Sequence, residues 1–254
     1  MKNIRILLIL ANALILCVGC RGEFEGTGPG KRPQVLALQP SDELEIGREA
    51  FQEALNGADL VTEGREIEAV QRVSERIAAA LEIEPLQREI NLHVKGYKFE
   101  WQYAVVRDRR VNAFCLPGGK MVVFSGLLQF VTNEDQLATV IAHEIAHAVA
   151  HHTSERLARM QSTKNPLVNL AFNRDQESEA DHIGVFLMTF AGYDPDQAVD
   201  FWRQMLVTQG SRFSLPEFLS DHPNHEHRMK NMETWAANAK AGKAAFDSGR
   251  VVAP

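Results

Sequence analysis

Two histidines and a glutamate within Val140-Ile141-Ala142-His143-Glu144-Ile145-Ala146-His147-Ala148-Val149 form an H-E-x-x-H motif set in an apolar helical pattern. On a helix, residues four apart share one face about 6 Å apart along the axis, so His143 and His147 can reach one ion. Glu144 lies about 100° around the helix from His143 and about 60° back from His147, which flanks the metal position rather than occupying it. A zinc peptidase needs that arrangement: two imidazole ligands and a carboxylate beside the water that the metal activates. The competing reading is a helix whose histidines satisfy local hydrogen bonds. It must then bear the cost of placing three polar groups among Val140, Ile141, Ile145 and Val149 without a partner.

A catalytic zinc takes three protein ligands and keeps one position open. His151, a further four residues along, is too far: it lies about 12 Å up the axis from His143, whereas each Zn–N bond spans about 2.0–2.1 Å. The H-x-x-G-x-x-H continuation of another protease class is missing, since Ala150 and Thr153 stand in its places. His151 and His152 therefore read as surface residues or as residues behind the ligands. The acidic run Asp175-Gln176-Glu177-Ser178-Glu179-Ala180-Asp181 is a better source of the third ligand. Glu177 and Asp181 are i and i+4, so two facing helices would offer His143, His147 and Glu177 to one ion, with Asp181 orienting a ligand imidazole. A solvated acidic helix start accounts for the same run equally well on these residues alone. Glu179, about 200° around from Glu177, is expected to face elsewhere.

The elements that must position these groups can be read from periodicity. Residues 20–40 are rich in Gly and Pro and read as a tether, after which a helix opens at Ser41 and runs to Asn56-Gly57. Ile67, Val70, Val73, Ile77 and Leu81 mark a second helix that ends before Pro85. Ile90–Val94, Trp101–Val106 and Met121–Phe124 read as short strands, with His93 on a solvent face. Asn133 and Gln136 make a capping box for the motif helix, which is expected to continue through His151 and His152 to about Met160. Residues 162–172 break the pattern as a lid or a linker. Helices follow over 174–190, from Pro195 through Leu206, and over 225–240, before a loosely ordered tail at 241–254. Helical layers with a small sheet make the fold α+β, with one domain over 41–240.

The 254 residues, 45% hydrophobic, suffice for a substantial core, and a net charge of −6 without a basic stripe argues against nucleic-acid partners. Met1-Lys2-Asn3-Ile4-Arg5 followed by the apolar run Ile6–Val18 reads as a secretory signal, residues 1–19. Leu16-Cys17-Val18-Gly19-Cys20 resembles a bacterial lipoprotein signal with lipidation at Cys20, the alternatives being an ordinary cleaved signal or an uncleaved anchor. Lipidation would place the domain in the periplasm, and Arg21 after the cysteine favours the outer membrane. Cys115 is then left without a disulfide partner and reads as a small hydrophobe.

The chain resembles the HtpX/BepA-like zinc metalloendopeptidases, relatives of the CAAX-prenyl-processing endopeptidases, and in particular their periplasmic lipoprotein members. The likeness runs from about Glu45 to Arg228. It is carried by Asn112-Ala113-Phe114-Cys115-Leu116-Pro117-Gly118-Gly119, Ser125-Gly126-Leu127-Leu128, His143-Glu144-Ile145-Ala146-His147, Glu177-Ser178-Glu179-Ala180-Asp181, and His222-Pro223 with Arg228. The resemblance implies a mainly helical gluzincin-type domain holding one zinc per chain on His143, His147 and Glu177, with Glu144 as catalytic base. It implies that the strand after Pro117-Gly118-Gly119 is an active-site edge, with Asn112, Ala113, Pro117, Gly118, Gly119, Met121 and Val122 binding substrate backbone. His222 and Arg228 correspond to a pair near the scissile carbonyl, where His222 either stabilises the oxyanion or takes zinc's open position in a latent state. The implied function is cleavage of misfolded or unassembled envelope proteins. A zinc-stabilised chaperone that binds outer-membrane proteins and cleaves rarely is the alternative, and a purely structural zinc with four protein ligands is a third reading.

Overall fold

The computed structural model describes residues 26–27, 33–92, 97–162, 166–209, 218, 221–222 and 226–250. The signal segment and Cys20 lie outside these residues, as do His93, Pro223, His225 and positions 163–165 of the break. Among the described residues, no helix is long and apolar enough to cross a membrane.

After a two-residue pairing of β1 (Gly26–Thr27) with β2 (Pro33–Gln34), the elements run α1 (Pro40–Leu55), β3 (Leu60–Val61), α2 (Arg65–Ala80) and α3 (Glu84–Glu89). Then come β4 (Gln102–Val106), β5 (Ala113–Leu116), β6 (Lys120–Phe124) and α4 (Ser125–Phe130). The second half is helical: α5 (Glu134–Val149), α6 (His152–Ser162), α7 (Pro166–Phe190), α8 (Asp196–Gln209) and α9 (Glu226–Asp247). The four-stranded sheet has the order β3-β4-β6-β5, with β4 parallel to β6 and the other pairs antiparallel. The fold is α+β, and one core cluster joins α2, α5, α7, α8 and α9 to the inner face of β4 and β6.

The sheet corrects one expectation. The strand after Pro117-Gly118-Gly119 is β6, and it lies inside the sheet between β4 and β5. Each of its residues, Met121 and Val122 included, is buried, as a strand flanked on both sides and covered on both faces must be. The edge strands are β3 and β5, and β5 is the one beside the motif helix. Pro117-Gly118-Gly119 form the turn joining β5 to β6, with φ of 74° at Gly118 and 86° at Gly119, a conformation that favours glycine. That turn is covered rather than open: a Cβ on Gly47 of α1 would lie 1.8 Å from the Pro117 carbonyl oxygen, and one on Gly119 would strike Trp101. The three residues seat α1 and Trp101 against the sheet and do not face a substrate cleft.

Boundaries also differ, and the motif helix, expected to reach about Met160, ends at Val149. Of the stretch read as a strand over Ile90–Val94, the described residues Ile90–Leu92 form none: Ile90 caps α3, and Asn91 turns the chain with φ 50°. Residues 33–39, read as the end of the tether, pack on the domain, where Leu36 and Leu38 are buried and Gln34 Nε2 donates to the Ala150 carbonyl at 2.6 Å. α7 begins at Pro166, inside the stretch read as a lid or linker. α9 runs to Asp247, where the Phe246 ring still meets Phe190 of α7.

Replacing Gly47 with Ala forces α1 off the β5–β6 turn. The expected loss is about 3 kcal/mol of unfolding free energy, measured by denaturant titration; an unchanged midpoint contradicts the close approach.

Candidate active site

α5 is buried on every side from Gln136 to Val149, as a helix apolar nearly all round should be. Its start is held as its sequence predicts, with Asn133 Oδ1 accepting from Gln136 N at 2.8 Å. The reciprocal bond shifts by one residue, since Gln136 Oε1 accepts from Thr132 N at 3.0 Å. α7 crosses directly over α5, where a Cβ on Gly184 would come within 3.0 Å of His143 N. That close approach brings the acidic face of α7 to the histidines of α5.

His143 Nε2 and His147 Nε2 are 3.1 Å apart, and Glu177 offers Oε2 at 3.3 Å from the first and Oε1 at 3.5 Å from the second. His222 adds Nδ1, 3.1 Å from His143 Nε2 and 2.8 Å from Glu177 Oε2. All four residues are buried. Tetrahedral ligation at about 2.0–2.1 Å separates neighbouring donor atoms by about 3.3 Å. The His143, His147 and Glu177 separations fall on that value, and the donor set of imidazole and carboxylate suits zinc.

Glu144 stands beside this group. Its Oε2 accepts from Cys115 N of the edge strand at 3.3 Å, and its Oε1 is 3.1 Å from His222 Nε2. The β5–β6 ladder turns alternate backbone groups of β5 outward, so the Cys115 amide faces the site instead of the neighbouring strand. Asn112 and Ala113 do not line an open surface. Ala113 is in the core, and Asn112 is buried with Nδ2 donating to Asp221 Oδ2 at 3.0 Å, tying β5 to the segment that carries His222.

Behind the converging donors, Asp181 Oδ1 lies 3.1 Å from His143 Nδ1, which leaves His143 Nε2 turned toward the others. Arg228 grips both oxygens of Asp181, through Nε at 2.6 Å and Nη2 at 2.8 Å, and lies over the Trp202 ring at 4.4 Å. Two of its guanidinium nitrogens are thus taken up by Asp181, while Nη1 lies 3.4 Å from the His222 carbonyl oxygen and 3.7 Å from Glu177 Oε2. Arg156, unmarked in the sequence, has Nη2 at 3.4 Å from Glu177 Oε1.

Burial acts to raise the Glu144 and Glu177 carboxyls, but the surrounding imidazoles outweigh it and hold both below the ordinary carboxylate value, Glu177 well below. For His147 burial prevails and pushes the imidazole down to about 3. For His222 burial is overcome by Glu177 and Glu144, and the imidazole rises to about 10. Burial likewise opposes the Asp181 charge, and Arg228 reverses it.

The profile of Peptidase family M48 matches residues 68–171 and 163–236, which together include the H-E-x-x-H helix, Glu177, His222 and Arg228. The chain belongs to peptidase family M48. The metalloproteases of that family are zinc-dependent. It is 34% identical over 169 residues to the mitochondrial metalloendopeptidase OMA1 of Schizosaccharomyces pombe, covering 58% of this chain and 50% of that protein. OMA1 of Arabidopsis thaliana is 36% identical over 157 residues, 54% of this chain and 32% of that protein. The beta-barrel assembly-enhancing protease of Escherichia coli is 28% identical over 170 residues, 54% of this chain and 34% of that protein. The chain therefore spans half or less of the length of these relatives.

Of the two places the sequence left open for His152, on the surface or behind the histidines, it takes the second, and Glu179, expected to face elsewhere, meets it there. His152 is fully buried against His147, and Glu179 is buried against His152. Helical angles computed from one helix placed Glu179 away from Glu177, and it is; a neighbouring helix covers that other side.

Arg228→Leu leaves the Asp181 charge buried without its partner, and unfolding free energy should fall by about 3–5 kcal/mol near neutral pH. Asp181's depressed folded pKa gives a contribution that is full above its ordinary 3.8 and fades as pH falls through the lower folded value. The deficit of the variant should therefore shrink on acidification, as Asp181 becomes neutral. Thermal melts of both proteins down a pH series check this; a pH-independent deficit contradicts it.

Proposed function

We propose that this chain is a zinc-dependent endopeptidase that cleaves misfolded or unassembled proteins of the bacterial cell envelope. One zinc would be held by His143, His147 and Glu177. The observation that carries the catalytic part is the convergence of those three side chains beside a buried Glu144 that is held on a sheet edge. The envelope part is supported by the leader ending at Cys20 and by similarity to a protease named for β-barrel assembly. The OMA1 relatives are named as mitochondrial, so lipidation at Cys20 and an outer-membrane position are the assumptions that distinguish this reading.

When bound, zinc supplies a water acidified toward neutral pH and a Lewis acid for the peptide carbonyl. Glu144 accepts a proton from the attacking water and returns it to the leaving amine. Its side chain is pre-set for this, because Cys115 N fixes Oε2 and burial keeps bulk water from competing for the carboxylate. The outer edge of β5 is the surface on which an extended substrate would add as a further strand, read through its main chain so that sequence preference is broad. Asp181, clamped by Arg228, holds His143 in the ligand tautomer. His222 brings Nδ1 among the donor atoms, where it would compete with water for a bound ion.

Glu144→Gln should leave zinc bound and abolish cleavage of casein, and chelation should stop the native enzyme until zinc is restored. Wild-type cleavage by that variant sinks the mechanism, while full biological activity without cleavage favours a chaperone that binds outer-membrane proteins. Cys20→Ala should move the protein from the membrane fraction to the soluble fraction and end labelling by a palmitate analogue. Retained labelling would rule out that anchor.

A further inference from the structure

The motif helix stops short, and the residue after the stop is aimed back at the ligands. α5 ends at Val149, His151 adopts a left-handed backbone with φ 57°, and α6 begins at His152. In the uninterrupted helix expected from the sequence, His152 would sit five positions past His147, about 140° around the axis and out of reach. The stop instead places His152 Nδ1 2.7 Å from His147 Nδ1. A left-handed conformation costs a non-glycine residue on the order of 1–3 kcal/mol and persists only where its surroundings hold it. They do here: His151 Nδ1 is 2.7 Å from Glu43 Oε2, and the Tyr97 ring stacks on the imidazole at 3.6 Å.

The hydrogen-bond roles along this chain of groups are determined. His147 turns Nε2 toward His143 and Glu177, so a metal bound there leaves the His147 proton on Nδ1. His152 Nδ1 must then accept that proton's hydrogen bond, which puts the His152 proton on Nε2, 3.2 Å from Glu179 Oε2. His152 and Glu179 are both buried, so these bonds are not exchanged with solvent. The two ligand imidazoles are therefore supported differently. His143 meets a carboxylate directly, whereas His147 meets one through a second imidazole.

We propose that His152 and Glu179 are positioning residues of the metal centre, forming a Glu179–His152–His147 chain that fixes the tautomer and ring orientation of His147. This rests on the reading of His143, His147 and Glu177 as metal ligands. His152, Glu155 and Glu179 also lie near enough to one another to hold a cation themselves. Glu155 Oε2, however, already accepts from Gln176 Nε2 at 2.8 Å, and in the chain of bonds His152 Nε2 carries a proton.

The test is zinc titration of the metal-free full chain against a chromophoric chelator, with folding followed by circular dichroism. The native chain should bind one equivalent, and folded His152→Leu should bind it roughly 10–100-fold more weakly. His152→Asn should recover part of the loss, because its Oδ1 can accept from His147 Nδ1–H; a purely packing role predicts no such rescue. Native zinc affinity in folded His152→Leu overturns the proposal. Should that variant not fold, His152→Asn and Glu179→Leu decide, and native affinity in both overturns it. Two equivalents in the native chain also overturn it, by making His152 and Glu179 ligands, whereas no zinc at all removes the metal centre itself.

Discussion

A helix buried on all sides carries two imidazoles and a carboxylate, and the rest of the site follows from the need to pair them. An unpartnered buried charge costs several kcal/mol, so α5 could not pack as it does with His143, Glu144 and His147 facing apolar neighbours. The partners come from four other places: Glu177 and Asp181 from α7, His222 from the segment before α9, Cys115 N from β5, and His152 from α6. Each brings its own support, as when Arg228 of α9 neutralises Asp181. The network thus ties most of the second half of the chain to one helix.

The same pairing divides the site into two kinds of group. Side chains whose polar atoms are fully engaged, such as Asp181 and Arg228, supply rigidity and charge balance. Those whose atoms converge without a common covalent or hydrogen-bonded centre, the His143, His147 and Glu177 donors, are suited to a cation. Glu144 lies between the two, anchored at one oxygen and facing His222 at the other. A carboxylate held in this way would need little reorganisation if a proton moved onto it. The aromatic side chains of Trp202 and Phe218 close the far side of His143, which lowers the local dielectric and strengthens every contact within.

Much of this was legible in the residues. The i, i+4 spacing of His143 with His147 and of Glu177 with Asp181 selects one face of each helix, and that rule is local. The cap at Asn133 and the apolar periods of α1, α2 and α8 are local as well, and the helices stand where they were expected. The errors have a common origin. Ile90–Val94 alternates like a strand but lies after a short helix, where Asn91 turns the chain. Met121 and Val122 sit on a true strand whose place in the sheet depends on which neighbours pair with it.

The sequence alone determined which side chains share a helical face, because that depends on a fixed rotation per residue. It put His143 with His147, and Glu177 with Asp181, on one face each on that ground. The tertiary structure alone decided which strand is the edge, where α5 stops, and that His152 and Glu179 stand behind His147. Those outcomes depend on contacts between segments far apart in the chain: α1 and Tyr97 hold His151 in its left-handed turn, and α7 lies close enough over α5 to meet it. No periodicity within a single segment encodes them, since each is settled by which surfaces exclude water together.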